Sequence, residues 1–190
     1  SFFTYFVLPA MSKEELPQAV QYEARKHVPL PFAEVTFDWQ IIEKPTAASK
    51  TPFKILLVAV PNEVINQYQE IAKGANLKLS ALEAEVFGLI RSFLKEEKTP
   101  AAVLDVGAQT TTINLVWKGQ LRNSHGIDIA GNSFTERISQ SLLLDFSKAQ
   151  ELKSEKGLLS PDISGILSPL IDMIVAEVQN IAQSCFAARR

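Results

Sequence analysis

Residues 102–128, AVLDVGAQTTTINLVWKGQLRNSHGID, constrain the fold more than any other stretch of the chain. Apolar runs at 102–106, 110–117 and 121–128 are separated only by residues 107–109 and by a turn at Lys118 and Gly119. Connections this short join strands as tight hairpins, so the stretch predicts three successive antiparallel strands. The first hairpin is unusual, because its mouth carries Asp105, Gly107 and the threonines Thr110, Thr111 and Thr112. A strand that ends in Asp, turns on Gly and continues into threonine brings backbone N–H groups and hydroxyls to one spot. Such a nest suits a phosphate, and a neighbouring carboxylate suits the hydrated Mg2+ that accompanies nucleotide phosphates. Asp105 is then the metal-side acid, Gly107 the close-approach residue, and Thr110 with its neighbours the hydroxyl donors. The same residues also suit an ordinary hairpin, since Asp satisfies turn amides, Gly supplies positive φ and Thr favours strands.

The surrounding pattern is mixed α/β. Phe2 to Leu8 reads as a strand ended by Pro9. Ser12 and Glu15 form a capping-box pair that opens a helix over 13–28, with Leu16, Ala19, Val20, Ala24 and Val28 at helical spacing and Pro29 and Pro31 ending it. Pro17, one turn in, is expected to remove a hydrogen bond and bend that helix. Residues 34–43 alternate as a half-buried strand, and the unbroken FKILLVAV at 53–60 suggests a strand covered on both faces. Asn62 is placed as the cap of a helix with Val64, Ile65, Tyr68, Ile71, Ala72 and Ala75 in one stripe. A short strand is expected at Lys78 to Leu82, then a helix carrying Ala84, Phe87, Ile90 and Leu94. The charged KEEKTP at 95–100 reads as a junction. Beyond the three strands, Gly131 opens a helix with Phe134, Ile138 and Leu142, Ser147 is the expected cap of another, and a last helix runs from about Ile166 to Ala188.

Composition removes several classes of function. Of the 190 residues, 46% are hydrophobic, which suits a globular chain. A formal charge of −2 offers no field for nucleic acid, so no nucleic-acid partner is expected. The single cysteine, Cys185, rules out an intramolecular disulfide and fits a reducing compartment. With His27 and His125 as the only histidines, a multi-histidine metal site cannot be built. Both are expected at ordinary surface or turn positions. The apolar FFTYFVL is too short to cross a bilayer, so any membrane contact is expected to be indirect.

From Asp105 to Leu142, the order Asp-x-Gly, Thr, strand, turn, strand, Gly-Asn-x-x-Thr, helix resembles the second phosphate loop, hairpin and following helix of the actin-like ATPase superfamily. Leu8 to Ile42 is similar to the inserted strand-helix-strand-strand subdomain of the PilM family of type IV pilus assembly, and ILLVAVPNEVINQYQEIAKGANLKLSALEAEVFGLIRSF to its return into the first large domain. The resemblance covers nearly the whole chain. It implies a partial actin-like fold: residues 1–52 as the inserted subdomain, 53–99 as the rest of the first domain, and 100–190 as a second domain cut short. By the same resemblance, Asp105, Gly107 and Thr110 lie on the phosphate-contacting loop, and Gly131 and Asn132 on the turn that approaches the nucleotide. Thr135 begins the helix behind that turn. AQELK at 149–153 stands where relatives show Ala-Glu-x-x-Lys, whose acid and base contact the ribose and adenine: Lys153 matches, whereas Gln150 replaces the acid, which weakens the ribose contact.

The resemblance further implies ATP with Mg2+ as the family ligand, bound weakly or not at all here. The superfamily's first phosphate loop and its glycine-rich adenosine loop are not in these residues, which correspond to an internal piece holding half of a nucleotide cleft. No catalytic residue is assigned, because phosphoryl transfer needs both sides of the cleft at once. The expected role is a cytoplasmic scaffold reached at the inner membrane through partners. The cytoplasmic tail of a PilN-type membrane protein would dock beside helix 13–28, with Tyr22, Arg25, Val28 and Leu30 at the rim of the groove, and other pilus assembly proteins would follow. Val28 and Leu30 equally suit a local core. The aromatic N-terminal strand also makes self-association a property to test. The alternatives are a working actin-like ATPase and an FtsA-type division protein. The latter should end in a basic amphipathic membrane helix, a character that 166–188 lacks.

Overall fold

The computed structural model describes residues 2–44, 51–94, 97 and 99–187. These form two units, Ser1–Glu85 and Val86–Arg190. In the first, FKILLVAV is the middle strand of a sheet, with Phe53, Ile55, Leu57 and Ala59 buried on one face and Leu56 on the other. The strands β1 (Phe2–Leu8), β2 (Val35–Glu43) and β3 (Phe53–Pro61) pair antiparallel in the order β1-β3-β2. Phe6 lies opposite Ile55, and Trp39 opposite Leu57. Helix α1 (Leu16–His27) closes one face: Leu16, Val20 and Ala24, four residues apart, pack with Phe6, Leu8, Val35, Ile55 and Leu57. Each large aliphatic side chain withdrawn from water there contributes roughly 1.5–3 kcal/mol.

Several details differ from the sequence expectation, each for a local reason. The Ser12–Glu15 bonds form, with the Ser12 N–H donating to the Glu15 carboxylate at 3.1 Å and the Glu15 N–H to Ser12 Oγ at 3.3 Å. They close the turn ahead of α1, which begins at Leu16 rather than 13. Pro17 therefore sits in the first turn, where its missing N–H costs no helical bond. Asn62 is the first residue of α2 (Asn62–Gly74) and not its cap. Its side chain accepts from Thr36 Oγ1 at 2.8 Å and donates to the Ala33 carbonyl at 3.1 Å, tying α2 to the start of β2. The stripe on α2 is present but uncovered, with Val64, Tyr68 and Ile71 exposed. The expected strand at 78–82 does not form. A strand exists through its ladder, no described residue pairs with this segment, and Leu77, Leu79 and Leu82 remain exposed.

The second unit contains α3 from Val86 onward (Glu85–Phe93), the strands β4 (Ala101–Val106), β5 (Thr111–Trp117) and β6 (Gln120–Ile127), and the helices α4 (Gly131–Leu142), α5 (Phe146–Lys156) and α6 (Pro161–Ala187). The sheet order β4-β5-β6 is the expected antiparallel meander. Lys118 and Gly119 both adopt positive φ, 53° and 69°, as a two-residue hairpin matched to strand twist requires. Central β5 buries Thr111 and Ile113 to Val116.

Helix α6 is long and apolar enough to cross a membrane by length and composition. Here its stripe packs on protein: Ile163 and Leu167 meet Ile138 of α4 and Ala149 of α5, and Ile181 meets Ile113 and Leu115 of β5. It starts at Pro161 rather than 166, because proline at the first helical position is favourable. The cap of α5 is Asp145, not Ser147. Its carboxylate accepts from the Lys148 N–H at 2.9 Å, a bond that holds the acid below its usual value.

His125 is exposed as expected, whereas His27 is half-buried. His27 stacks on Phe6, ring centroids 5.2 Å apart, and His125 lies on β6, 3.5 Å from Glu177.

Candidate functional site

The mouth of the β4–β5 hairpin is built by backbone. Asp105, on β4, stands opposite Thr112 in the register. The chain leaves β4 after Val106, and the Gly107 N–H donates to the Thr110 carbonyl at 3.0 Å, closing a four-residue loop. A Cβ at position 107 would lie 3.0 Å from that carbonyl, closer than real Cβ atoms are normally found, so any side chain there would force the loop backbone to give way.

The loop is then fixed to α4. The Gly131 N–H donates to the Gly107 carbonyl at 2.9 Å, and the Asn132 N–H to the Ala108 carbonyl at 2.7 Å. Two of the helix's four unpaired N-terminal donors are thereby satisfied by the loop. Gly131 is a second position where only glycine fits comfortably, since its Cβ would meet the Gly107 carbonyl at 3.1 Å and the Lys153 ammonium at 3.6 Å. Ala130 is braced by its own N–H donating to Ser133 Oγ at 3.3 Å.

From the other side comes α5. Lys153 Nζ donates to the Gly131 carbonyl at 2.7 Å and to Thr135 Oγ1 at 2.8 Å. The buried Thr135 hydroxyl lies 2.7 Å from Gln150 Oε1, which accepts from it. Partial burial pulls the Lys153 ammonium below its ordinary value.

Gly107, Gly131, Asn132 and Lys153 thus meet in one cluster, with the backbone of Thr110 included and the Thr110 side chain exposed. The half-buried Asp105 carboxylate takes no hydrogen bond or ion pair from another described residue, which leaves it able to receive a hydrated cation. The N–H groups of Ala108, Gln109 and Thr110 make no backbone bond to another described residue. That donor set, with one carboxylate beside it, fits a phosphate and its water-bound Mg2+. Thr111, expected among the hydroxyl donors at the hairpin mouth, is instead buried, and its hydroxyl donates to the Ile129 carbonyl at 2.6 Å and anchors the segment leading into α4. Its signal was parity: Thr111 shares a strand face with Ile113 and Leu115.

The four expected partner-contact residues lie in the first unit and divide. Tyr22 and Arg25 are exposed, with the Arg25 guanidinium 5.3 Å from the centre of the Phe32 ring and the Lys26 ammonium 5.1 Å from that of Tyr22. Leu30 is 44% exposed, whereas Val28 is buried in the core with Ala24 and Val35.

Comparison with solved structures shows the fold. The chain is similar to a structure described as the PilM-PilN type IV pilus biogenesis complex, with a TM-score of 0.77 at 24% identity, covering 99% of this chain and 56% of that one. It therefore spans little more than half the length of that relative. It is also similar to MreB 5 of Spiroplasma citri bound to AMPPNP, with a TM-score of 0.53 at 18% identity over 65% of this chain and 48% of that one. A third likeness is to the ethanolamine utilization protein EutJ from Carboxydothermus hydrogenoformans, with a TM-score of 0.52 at 15% identity over 90% of this chain and 81% of that one. The mixed α/β architecture is that of actin-like ATPase relatives. A family model described as Type IV pilus assembly protein PilM matches residues 6–189. The chain belongs to the PilM family of type IV pilus assembly proteins.

Proposed function

We propose that this chain is part of a non-catalytic cytoplasmic scaffold of type IV pilus assembly, held at the inner membrane by docking the cytoplasmic tail of a PilN-type protein. The observation that carries this reading is the family match across residues 6–189. The solved PilM-PilN complex, similar in fold, supports the choice of partner. Residues 1–52 act as the inserted subdomain together with β3, the middle strand of its sheet, the rest of 53–99 continues the first actin-like domain, and 100–190 supply the second. An extended tail would gain affinity from apolar anchors and backbone pairing beside α1, with Tyr22, Arg25 and Leu30 at the rim. Val28 would support that rim from the core. A pull-down of the intact protein with a PilN-type tail peptide tests the reading. Retention that falls on Tyr22→Ala with Arg25→Ala supports it, and no retention by the intact protein refutes it. Self-association belongs to the same proposal, and only monomer in sedimentation at high concentration would remove it.

The second reading, an ATP-binding protein of the actin-like group, is favoured by one observation, the glycine loop fastened to the start of α4. In this chain Asp105, Gly107, Thr110, Gly131, Asn132 and Lys153 form one side of a nucleotide cleft, with Asp105 the residue to hold Mg2+ through water. The metal would supply charge neutralisation at the phosphates. Hydrolysis is not assigned to this chain, since clamping from both sides is required.

A further inference from the structure

Two peptide groups join Lys153 to the loop in series. The Lys153 ammonium donates to the carbonyl of Gly131 at 2.7 Å, and the N–H of that same peptide group, on Asn132, donates to the Ala108 carbonyl at 2.7 Å. The next N–H in the series is that of Gln109, which makes no backbone bond to another described residue. Hydrogen bonds arranged this way polarise one another, and a full positive charge at one end polarises them most.

The surroundings of Lys153 favour this use of its charge. The acceptors it touches are neutral, Gly131 O and Thr135 Oγ1. The Thr135 hydroxyl has acceptors in Gln150 Oε1 at 2.7 Å and the Gly131 carbonyl at 3.0 Å, and donating to either leaves its lone pairs for the ammonium. Gln150 is itself held by Nε2 donating to Ser154 Oγ at 3.3 Å.

We propose that Lys153 is a positioning residue for the Gly107–Thr110 loop: its ammonium, held on the Gly131 carbonyl, polarises a hydrogen-bonded pair of peptide groups that fixes the loop and makes the Gln109 amide a stronger donor. Lys153 then acts on a ligand through the loop. A substitution more than 40 residues along the chain from Gly107 would loosen the loop without touching it.

Amide exchange and proton shifts by NMR on the 190-residue chain test this without nucleotide, so the result is independent of whether ATP binds. Lys153→Met keeps the stem length and removes the charge, and Lys153→Arg keeps the charge. In Lys153→Met the Asn132 amide should exchange about tenfold faster and the Gln109 amide proton should move upfield. Leu115, in the middle of β5, should hold its rate, and Lys153→Arg should restore most of the Asn132 protection. Unchanged Asn132 exchange in Lys153→Met would overturn the proposal. Equal acceleration at Leu115, or Lys153→Arg no better than Lys153→Met, would also overturn it. Should Lys153→Met not fold, the unaltered chain still decides the matter. A coupling across the Asn132 N–H to Ala108 carbonyl bond and slowly exchanging Lys153 ammonium protons are expected, and absence of both refutes the series.

Discussion

Gly131→Ala reads the loop–helix junction through stability. At an ordinary N-terminal helix position the change should help by about 0.4–1 kcal/mol, because alanine restricts the unfolded chain. Here the new Cβ would stand 3.1 Å from the Gly107 carbonyl oxygen and 3.6 Å from both Ala108 Cα and Lys153 Nζ. The nearest atom is backbone, so the loop itself must retreat by a few tenths of an ångström. That movement stretches the Gly131 to Gly107 and Asn132 to Ala108 bonds, now 2.9 and 2.7 Å. Each is worth about 0.5–1.5 kcal/mol net. Losing most of both, against the alanine gain, leaves the variant less stable by about 1–2 kcal/mol.

Gly165→Ala is the control of opposite sign. It lies inside α6 with nothing within 4 Å of the new Cβ, so it should gain roughly 0.5–1 kcal/mol. Urea unfolding followed by Trp117 fluorescence in a Trp39→Phe background reports the second unit alone. At an unchanged slope of about 1–3 kcal/mol per molar, the Gly131→Ala midpoint should fall by roughly 0.5–1 M. A Gly131→Ala chain as stable as its parent, with Gly165→Ala stabilised as expected, would refute the close approach.

Thr111→Val keeps the side-chain shape but leaves the Ile129 carbonyl without its 2.6 Å donor, so the second unit should lose about 1–3 kcal/mol in the same assay, with Thr111→Ser nearly neutral. Asp145 sets a pH dependence. The bond from the Lys148 N–H keeps its folded value below the ordinary 3.8, so its stabilisation is complete above about pH 3.8 and is lost as pH falls through the folded value. Asp145→Asn, which still caps the helix, should flatten that part of the acid limb in a pH series of melting temperatures.

The sheets and most helices could be read from the sequence because local pattern and burial agree. FKILLVAV lacks alternation and is the central strand, while Leu16, Val20 and Ala24 recur every fourth residue and form the inner face of α1. The expectation failed where an element depends on a neighbour. Residues 78–82 have strand chemistry and no ladder, and the α2 stripe has helical spacing and no cover among the described residues. Within the site, Gly107, Gly131, Asn132 and Lys153 were named together through resemblance. Their mutual bonding was not legible, because carbonyls carry no sequence signal: Gly107, Ala108 and Gly131 participate through backbone oxygens. The cap of α5 was misplaced by two residues because Ser147 and Asp145 are both good caps, and only the Lys148 bond separates them.

Whether the Gly107–Thr110 loop is one side of a cleft or a complete site is decided by calorimetric titration of the 190-residue chain with ATP, with and without Mg2+. A dissociation constant weaker than roughly 0.1 mM, equivalent to less than about 5.5 kcal/mol, is expected for one side alone. Micromolar, Mg2+-dependent affinity would contradict the half-cleft.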